Sequence, residues 1–292
     1  MDILSTLKQE LTCYENIQTE KNIVNSKAAD IAIIIPVHGR VDYNQPVTDY
    51  FYRAIQNYKR QVGFHVNISI TIVEHSPFAQ HKSVCRPFVN YIHIPQSGPF
   101  NKCLAFNIGA IENKNANLFL FHDIDIIVPK TYFKDLFENY ARLKGGAMQT
   151  FTQRRLLHCN TILTESALNN THIIQDFSTG NPGLKVAQPG AAGGSILVSK
   201  KAFIQAGGWN DIFFTEYSLE DQFFFDKVQM FKPMGFADNP AIELLHLEHP
   251  PSFNKQTKES DWIAFHAFHA LSREEKLHFI EVERDHIKKY LS

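Results

Sequence analysis

Two aspartates stand one residue apart directly after an apolar run. Asp123 and Asp125 flank Ile124 and follow residues 118–121, a pattern typical of a buried strand. Carboxylates at a strand end can hold a divalent cation, and such a cation neutralises charge as a diphosphate leaves. Aspartates are also common in turns, where they cap the next element. The pair therefore indicates metal-assisted chemistry only if other segments converge on it.

An acidic pair and a glycine pair could complete such a site. Glu220 and Asp221 would supply a general base beside a group that orients an acceptor hydroxyl. Gly193 and Gly194 precede a second apolar run, and glycines let the backbone approach a ligand closely. Each feature also has a structural explanation, since glycines form turns and acidic side chains favour helix N-termini.

Two histidines, His246 and His249, stand just before Pro250. In a chain with 14 histidines such a pair is often structural, and an odd spacing on a regular strand directs side chains to opposite faces. Both imidazoles therefore face the same side only if the chain turns before Pro250.

The elements that would position these residues alternate between strands and helices. Apolar runs and alternation predict strands at 31–37, 67–73, 91–94, 118–121 and 195–198. Helical patterns cover 49–61, 100–112, 131–143, 200–205 after a Ser199 cap, and segments that begin near 220 and 261. This order predicts an α/β fold with a mostly parallel central sheet flanked by helices, whose ligands bind at the carboxyl ends of the strands. Residues 152–189 lack periodicity, and we expect them to form a lid or binding loop.

The chain divides into three predicted parts. Residues 1–30 are polar and form a helical lead-in, residues 31–255 form the α/β domain, and residues 256–292 form a C-terminal helical extension. Apolar residues recur at helical spacing in the extension, so we expect it to pack on the domain or on a partner, including a second copy of the chain.

Composition narrows the function classes. The 292 residues are 44% hydrophobic, enough for a substantial core, and their formal net charge of -1 gives no general attraction for nucleic acid. The four cysteines form no metal-binding or disulfide pattern. The beginning of the chain resembles no secretory signal, and no stretch is apolar enough for a membrane span. We expect a cytoplasmic protein, with peripheral attachment to the inner face of a bacterial membrane left open.

The order of these motifs resembles the β-1,4-galactosyltransferase family and the galactosyltransferase-like domains of bacterial polysaccharide synthases, which share the GT-A fold. The resemblance extends from residue 31 to residue 249 and is more specific than any one motif. Its matching segments are Ile33-Ile34-Ile35-Pro36 with Arg40, Phe100-Asn101-Lys102 with Asn107-Ile108-Gly109, Asp123-Ile124-Asp125, Gly193-Gly194 with Ser199-Lys200, Gly208-Trp209-Asn210, Glu220-Asp221 and His246 with His249.

The resemblance implies a role for each matched position. The donor would contact Pro36, His38, Arg40, Phe100, Lys102, Asp123, Gly193 and Gly194. Lys102 stands where the family usually has arginine, and lysine lacks the bidentate fork. Asp125 would be the direct metal ligand with His249 and His246, binding Mn²⁺ or Mg²⁺. Asp221 would be the general base, and Glu220 and Tyr217 would bind the acceptor.

The sequence therefore predicts a metal-dependent inverting glycosyltransferase. It would move a hexose or N-acetylhexosamine of the Gal or GalNAc type from a UDP-sugar to a saccharide or glycolipid hydroxyl, in the synthesis of a bacterial surface polysaccharide or glycolipid. Ala191 and Ala192 stand where the resembled family carries bulkier residues, so the resemblance favours an N-acetylated sugar such as GalNAc. Two alternatives stay open: a catalytically silent protein that binds sugar nucleotides or glycans, and a metal-dependent phosphoester hydrolase.

Overall fold

A strand rich in β-branched residues, Ile31–Val37, lies in the middle of the fold and is buried along its whole length. The computed structural model describes residues 2–23, 29–62, 66–142, 147–149, 156–169, 174, 180–186, 193–215, 219–231, 235–236, 243–249 and 259–292. The strands are β1 Glu20–Asn22, β2 Ile31–Val37, β3 Ile68–Ser76, β4 Val89–Pro95, β5 Leu118–His122, β6 Ile126–Ile127, β7 Ala147–Gln149, β8 Leu156–Cys159, β9 Leu184–Val186, β10 Ser195–Ser199, β11 Gly235–Phe236 and β12 Leu244–His246. The helices are α1 Ile3–Glu10, α2 Val41–Val62, α3 Lys102–Glu112, α4 Tyr132–Arg142, α5 Thr161–Leu168, α6 Lys200–Gln205, α7 Glu220–Gln229, α8 Glu259–Ala270 and α9 Arg273–Leu291.

The central sheet has eight strands in the order β1-β4-β3-β2-β5-β10-β7-β11. Its middle is parallel, because β2 pairs with β3 and β5, and β3 pairs with β4, all in the same direction. β10 runs antiparallel to both β5 and β7. The prediction of a mostly parallel sheet is thus confirmed for its centre. A second sheet of four strands, β6-β12-β8-β9, lies beside the point where β5 ends.

Pro36 is tolerated inside a central strand because of where the pairing stops. The β2–β5 register ends at Ile34, opposite Phe121, whereas the β2–β3 register continues through Pro36 and Val37. Proline has no backbone N–H to donate. Because β5 does not pair with β2 at Pro36, no hydrogen bond to β5 is lost there.

The sheet separates two hydrophobic cores. Side chains alternate along β2, so that Ile33 and Ile35 enter the core beneath α2 and α4, whereas Ala32 and Ile34 enter the core shared with α3 and the C-terminal helices. α3 lies very close to the sheet: a Cβ on Gly109 would come within 2.3 Å of the Cγ2 atom of Ile34. This close packing holds α3, whose first residue is Lys102, against the sheet.

The C-terminal helices α8 and α9 are part of the second core. Their apolar side chains at Phe268, Phe279, Ile280, Ile287 and Leu291 are buried against this chain's own α3, α6 and α7 side. Ser272 caps α9 with a capping box completed by Glu275. The predicted helices are present and most of their apolar residues pack within the chain, whereas Trp262 and Ile263 on α8 are exposed. Among the described residues, none of the helices combines the length and apolarity that a bilayer crossing requires.

Three predictions of secondary structure need correction. α2 begins at Val41 rather than near Asp49, with Pro46 inside it, because Tyr43, Val47 and further apolar residues at helical spacing are buried in the first core. The lead-in contains α1 and also an edge strand, β1. The described part of 152–189 contains β8, α5 and β9 rather than one open loop.

Candidate functional site

The turn after β5 holds both aspartates at the edge of the central sheet. His122 ends β5, and its ring bonds with the Ser195 hydroxyl at 2.8 Å through Nδ1 and with the Ile126 carbonyl at 2.9 Å through Nε2. Burial lowers the pKa of this imidazole to about 4, so it stays neutral at pH 7. The backbone N–H of Asp123 donates to the Gly194 carbonyl at 2.8 Å, which ties the predicted glycine pair to the aspartate turn.

A cluster of potential metal ligands forms at Asp125. One ligand atom each from Asp125, His246 and His249 lie within 4.8 Å of one another. The Asp125 Oδ2 atom is 3.0 Å from Nε2 of His249 and 3.8 Å from Nε2 of His246. The sequence thus predicted the members of a cluster that the fold brings together.

β12 ends at His246, so the odd spacing between His246 and His249 does not place them on opposite faces of one strand. The Leu247 N–H donates to the Asp125 carbonyl at 2.8 Å, which extends the β6–β12 pairing by one residue and holds the segment after β12 beside the aspartate turn. The hydroxyl of Tyr43 on α2 donates to the Glu248 carbonyl at 2.7 Å. With the segment held on both sides, His249 faces the same carboxylate as His246 instead of the opposite face of a strand.

Arg40 also enters this cluster. Its guanidinium donates through Nη1 to Oδ2 of Asp125 and contacts Nδ1 of His249 through Nη2 at 3.1 Å. Gly39 and Arg40 have positive φ angles of 63° and 54°, which turns the chain sharply between β2 and α2. His81 contacts the Gly39 carbonyl at 2.7 Å and supports that turn.

The charges, the burial and the unpartnered polar atoms of this cluster suit a cation. Burial acts to raise the pKa of Asp125, yet His246, His249 and Arg40 together hold it well below its ordinary value. Burial lowers the pKa of His246, which favours the neutral imidazole that metals bind. Within the described residues, the buried Asp125 Oδ1 and His246 Nδ1 atoms have no hydrogen-bond partner. One carboxylate with two imidazoles is a donor set that fits Mn²⁺.

A second cluster forms around Lys102. Its ammonium nitrogen lies 3.1 Å from Asp123, 3.5 Å from Glu220 and 3.5 Å from Asp221. Burial alone would lower the pKa of Lys102, but the three carboxylates raise it well above its ordinary value, so the side chain stays charged. Burial raises the pKa of Asp123 to about 6, with Asp125 and Asp221 adding to the rise and Lys102 opposing it.

The two clusters are joined covalently and sterically. Asp123 belongs to one, Asp125 belongs to the other, and Ile124 alone separates them. Gly193, with φ of 90°, lies against the second cluster: a Cβ there would come within 1.6 Å of the Asp221 Oδ2 atom. Only a glycine leaves space for Asp221 in its present position.

Three further predicted donor residues lie at the ends of β2 and β4. Pro36 is in β2, His38 follows it, and the His38 ring stacks on Phe100 with the centroids 5.6 Å apart. His38 also contacts the His75 carbonyl at 2.7 Å through Nδ1. Phe100 and the cap residue Asn101 lead into α3 and therefore into Lys102. Tyr217 and the two alanines 191 and 192 lie outside the described residues.

One histidine near the potential metal ligands was missed in the sequence. His158 on β8 pairs in register with His246, and the two rings are 4.7 Å apart. No local pattern predicted β8, because its partner β12 is far along the chain. His122 was part of the aspartate segment, but its supporting role depends on Ser195 across the β5–β10 pair.

Comparison with solved structures finds proteins of similar fold, whereas two comparisons at the level of sequence find no match. No protein-family model matches the chain, and no curated protein sequence matches it. The catalytic domain of Drosophila β-1,4-galactosyltransferase 7, crystallised with xylobiose, is similar with a TM-score of 0.52 and 14% sequence identity, over 84% of this chain and 83% of that chain. A mutant of the Drosophila enzyme in complex with manganese, UDP-Gal and xylobiose has a TM-score of 0.46 and 14% identity, over 79% of this chain and 81% of that chain. The chain therefore has the GT-A fold, as the resemblance predicted, in a form similar to a β-1,4-galactosyltransferase catalytic domain.

Proposed function

We propose that the protein is a metal-dependent inverting glycosyltransferase that moves a sugar from a UDP-sugar to a saccharide hydroxyl. The observation that carries this proposal is the convergence of Asp125, His246 and His249 on one point at the carboxyl edge of the central sheet. The second cluster, in which Lys102 joins Asp123 to the acidic pair of α7, lies one residue away along the aspartate turn.

The proposed donor-binding residues lie around the ends of β2 and β4. The stacked rings of His38 and Phe100 offer a face for a base, and Arg40 and Lys102 offer positive charge for a diphosphate. Lysine is a point charge without the planar fork of arginine, so it suits one phosphate oxygen rather than a bidentate contact. The remaining proposed donor contacts are Pro36, Asp123, Gly193 and Gly194.

Asp221 is the proposed general base. It lies in the first turn of α7 with its carboxylate against Gly193 and 3.5 Å from Lys102. It would accept the proton of the acceptor hydroxyl as that oxygen attacks the anomeric carbon and the bond to the nucleoside diphosphate breaks. Glu220, which is buried beside it, would orient the acceptor together with Tyr217.

Asp125, His249 and His246 would hold the divalent cation, Mn²⁺ by preference and Mg²⁺ as the alternative. When bound, the cation would supply positive charge to the departing diphosphate. A single carboxylate with two neutral imidazoles leaves net positive charge on such a site, which suits an anionic donor.

The finer details of the substrate are proposed from the sequence and from the family resemblance. Small residues at positions 191 and 192 support an N-acetylated donor sugar such as GalNAc within the proposed Gal or GalNAc type. The resemblance to bacterial polysaccharide synthases supports an acceptor in a surface polysaccharide or glycolipid. A cytoplasmic site of action, with or without peripheral contact with a membrane, belongs to the same prediction.

The first experiment measures UDP release from a panel of UDP-sugars with Mn²⁺, with and without saccharide acceptors. We expect acceptor-dependent release for the native chain. Asp221→Asn should lower it by at least about 100-fold, since removal of a general base costs about 10² to 10⁴ in rate. UDP binding should change little, because the substitution leaves the donor contacts in place.

Asp226→Asn is the matched control. Asp226 lies on the same helix and contacts His269 at 2.9 Å and Gln222 at 2.9 Å, outside both clusters. Near-normal transfer by Asp221→Asn would refute the assigned base. UDP binding without transfer for any donor and acceptor pair would instead indicate a silent binding protein, and release of phosphate from a simple ester would indicate a hydrolase.

A further inference from the structure

Arg40 lies where a bound cation would have to compete with it. Its guanidinium contacts the same Asp125 oxygen, Oδ2, that lies 3.0 Å from His249 and 3.8 Å from His246. The Arg40 side chain is about one-fifth exposed and that of Asp125 only 8%, so water screens this charge pair weakly. The positive φ of Arg40, 54°, is a conformation that few residues other than glycine adopt.

His249 lies between the same two partners. Its Nδ1 atom is 3.1 Å from Nη2 of Arg40, and its Nε2 atom is 3.0 Å from Oδ2 of Asp125. A cation held by Asp125 and His249 would therefore have to share both of these side chains with the guanidinium or take its place.

We propose that Arg40 neutralises Asp125 in the cation-free protein and leaves it when a divalent cation binds. The displaced guanidinium then becomes available to the diphosphate of the donor, so that cation and donor strengthen each other's binding. The first half of the inference concerns the chain and the cation alone. The second half rests on the proposed function, which supplies the diphosphate.

Thermodynamic linkage gives the size of the effect. If UDP raises the affinity for Mn²⁺ by some factor, Mn²⁺ must raise the affinity for UDP by the same factor, and such factors are typically about 5- to 150-fold. Removing the Arg40 guanidinium removes the competitor and also the group that would transmit the coupling.

The test is a titration of Mn²⁺ followed by the electron paramagnetic resonance signal of the free ion, with and without UDP. We expect Arg40→Gln to bind Mn²⁺ more tightly than the native chain when UDP is absent, by about 5-fold or more. Added UDP should raise the affinity for Mn²⁺ in the native chain and raise it much less in Arg40→Gln. Arg40→Lys, which keeps the charge but loses the fork, should fall between the two and guards against a folding defect in the glutamine variant.

Arg86→Gln is the charge-matched control, because Arg86 forms a similar ion pair with Asp49 outside the cluster. It should bind Mn²⁺ like the native chain. Equal or weaker Mn²⁺ affinity in folded Arg40→Gln, or an undiminished effect of UDP in that variant, would overturn the inference. Because the readout is Mn²⁺ binding, a chain that shows the competition yet transfers no sugar would refute the proposed function and leave the competition intact.

Discussion

Gly193→Ala should impair both catalysis by Asp221 and the stability of the fold, and a control variant should distinguish the two effects. A Cβ at position 193 would lie 1.6 Å from Oδ2 of Asp221 and 2.3 Å from its Cγ atom. Ordinary contact begins near 3.4 Å, so the carboxylate has to move by roughly 1.8 Å or rotate away. Misplacement of a reacting group by about 1 Å can cost about 100-fold in rate.

The expected loss therefore has two independent parts. Transfer, measured as acceptor-dependent UDP release, should fall by at least about 100-fold in kcat/KM, equivalent to about 2.7 kcal/mol. Stability should fall by about 1–3 kcal/mol, because the φ of 90° is strained for alanine. Urea denaturation followed by circular dichroism measures the second part.

Gly98→Ala is the control for backbone strain. Gly98 also has a positive φ, 124°, but a Cβ there would meet nothing within 4 Å. It should lose stability while transfer by the folded protein stays within a few-fold of the native rate. If folded Gly193→Ala transfers sugar at the native rate, Asp221 does not act from the position beside Gly193, and the reasoning fails.

Two further predictions concern stability. Lys227→Met should destabilise the fold by about 3–5 kcal/mol, because it leaves the Glu283 carboxylate buried without the ammonium now 2.7 Å away; urea denaturation should also show recovery in the Lys227→Met, Glu283→Met double variant, and an unchanged midpoint for the single variant would contradict this. Glu74 accepts hydrogen bonds from Tyr91 and His81. Burial acts to raise the pKa of Glu74, but these hydrogen bonds bring that pKa below its ordinary value. A carboxyl group whose pKa is lowered by folding stabilises the fold at pH values above its unfolded pKa of about 4.3. That contribution is lost as the pH falls towards the lower pKa of the folded state. Glu74→Gln should therefore melt at a lower temperature at pH 7 but lose less between pH 5 and pH 3; parallel acid profiles would count against this.

Much of the fold could be predicted from local patterns. The continuous apolar run of β2 and the alternation in β3 indicate strands because burial on one or both faces determines which residue types each position accepts. Ser199 was predicted as a helix cap, and its hydroxyl accepts from the Ala202 N–H at 3.1 Å. Patterns of this kind depend on the immediate neighbours in the chain, so sequence alone contains them.

Other elements depend on partners far along the chain. β8 consists of four residues and pairs with β12, about ninety positions later, and without that partner its sequence has no distinctive period. α2 starts eight residues before its predicted beginning because apolar side chains of its first turns are buried in the core between the helix and the sheet. Tertiary packing overrides weak local preferences in both cases.

The residue types at the candidate site were determined by the sequence: an aspartate pair after a strand, an acidic pair, two histidines and a glycine pair. Their arrangement was decided by the tertiary structure. It placed His246 and His249 on one carboxylate, brought Lys102 among three acids and set Arg40 against Asp125. Most of these contacts join residues about 85 to 125 positions apart, and they depend on strand order and helix packing, which no short segment of the chain contains.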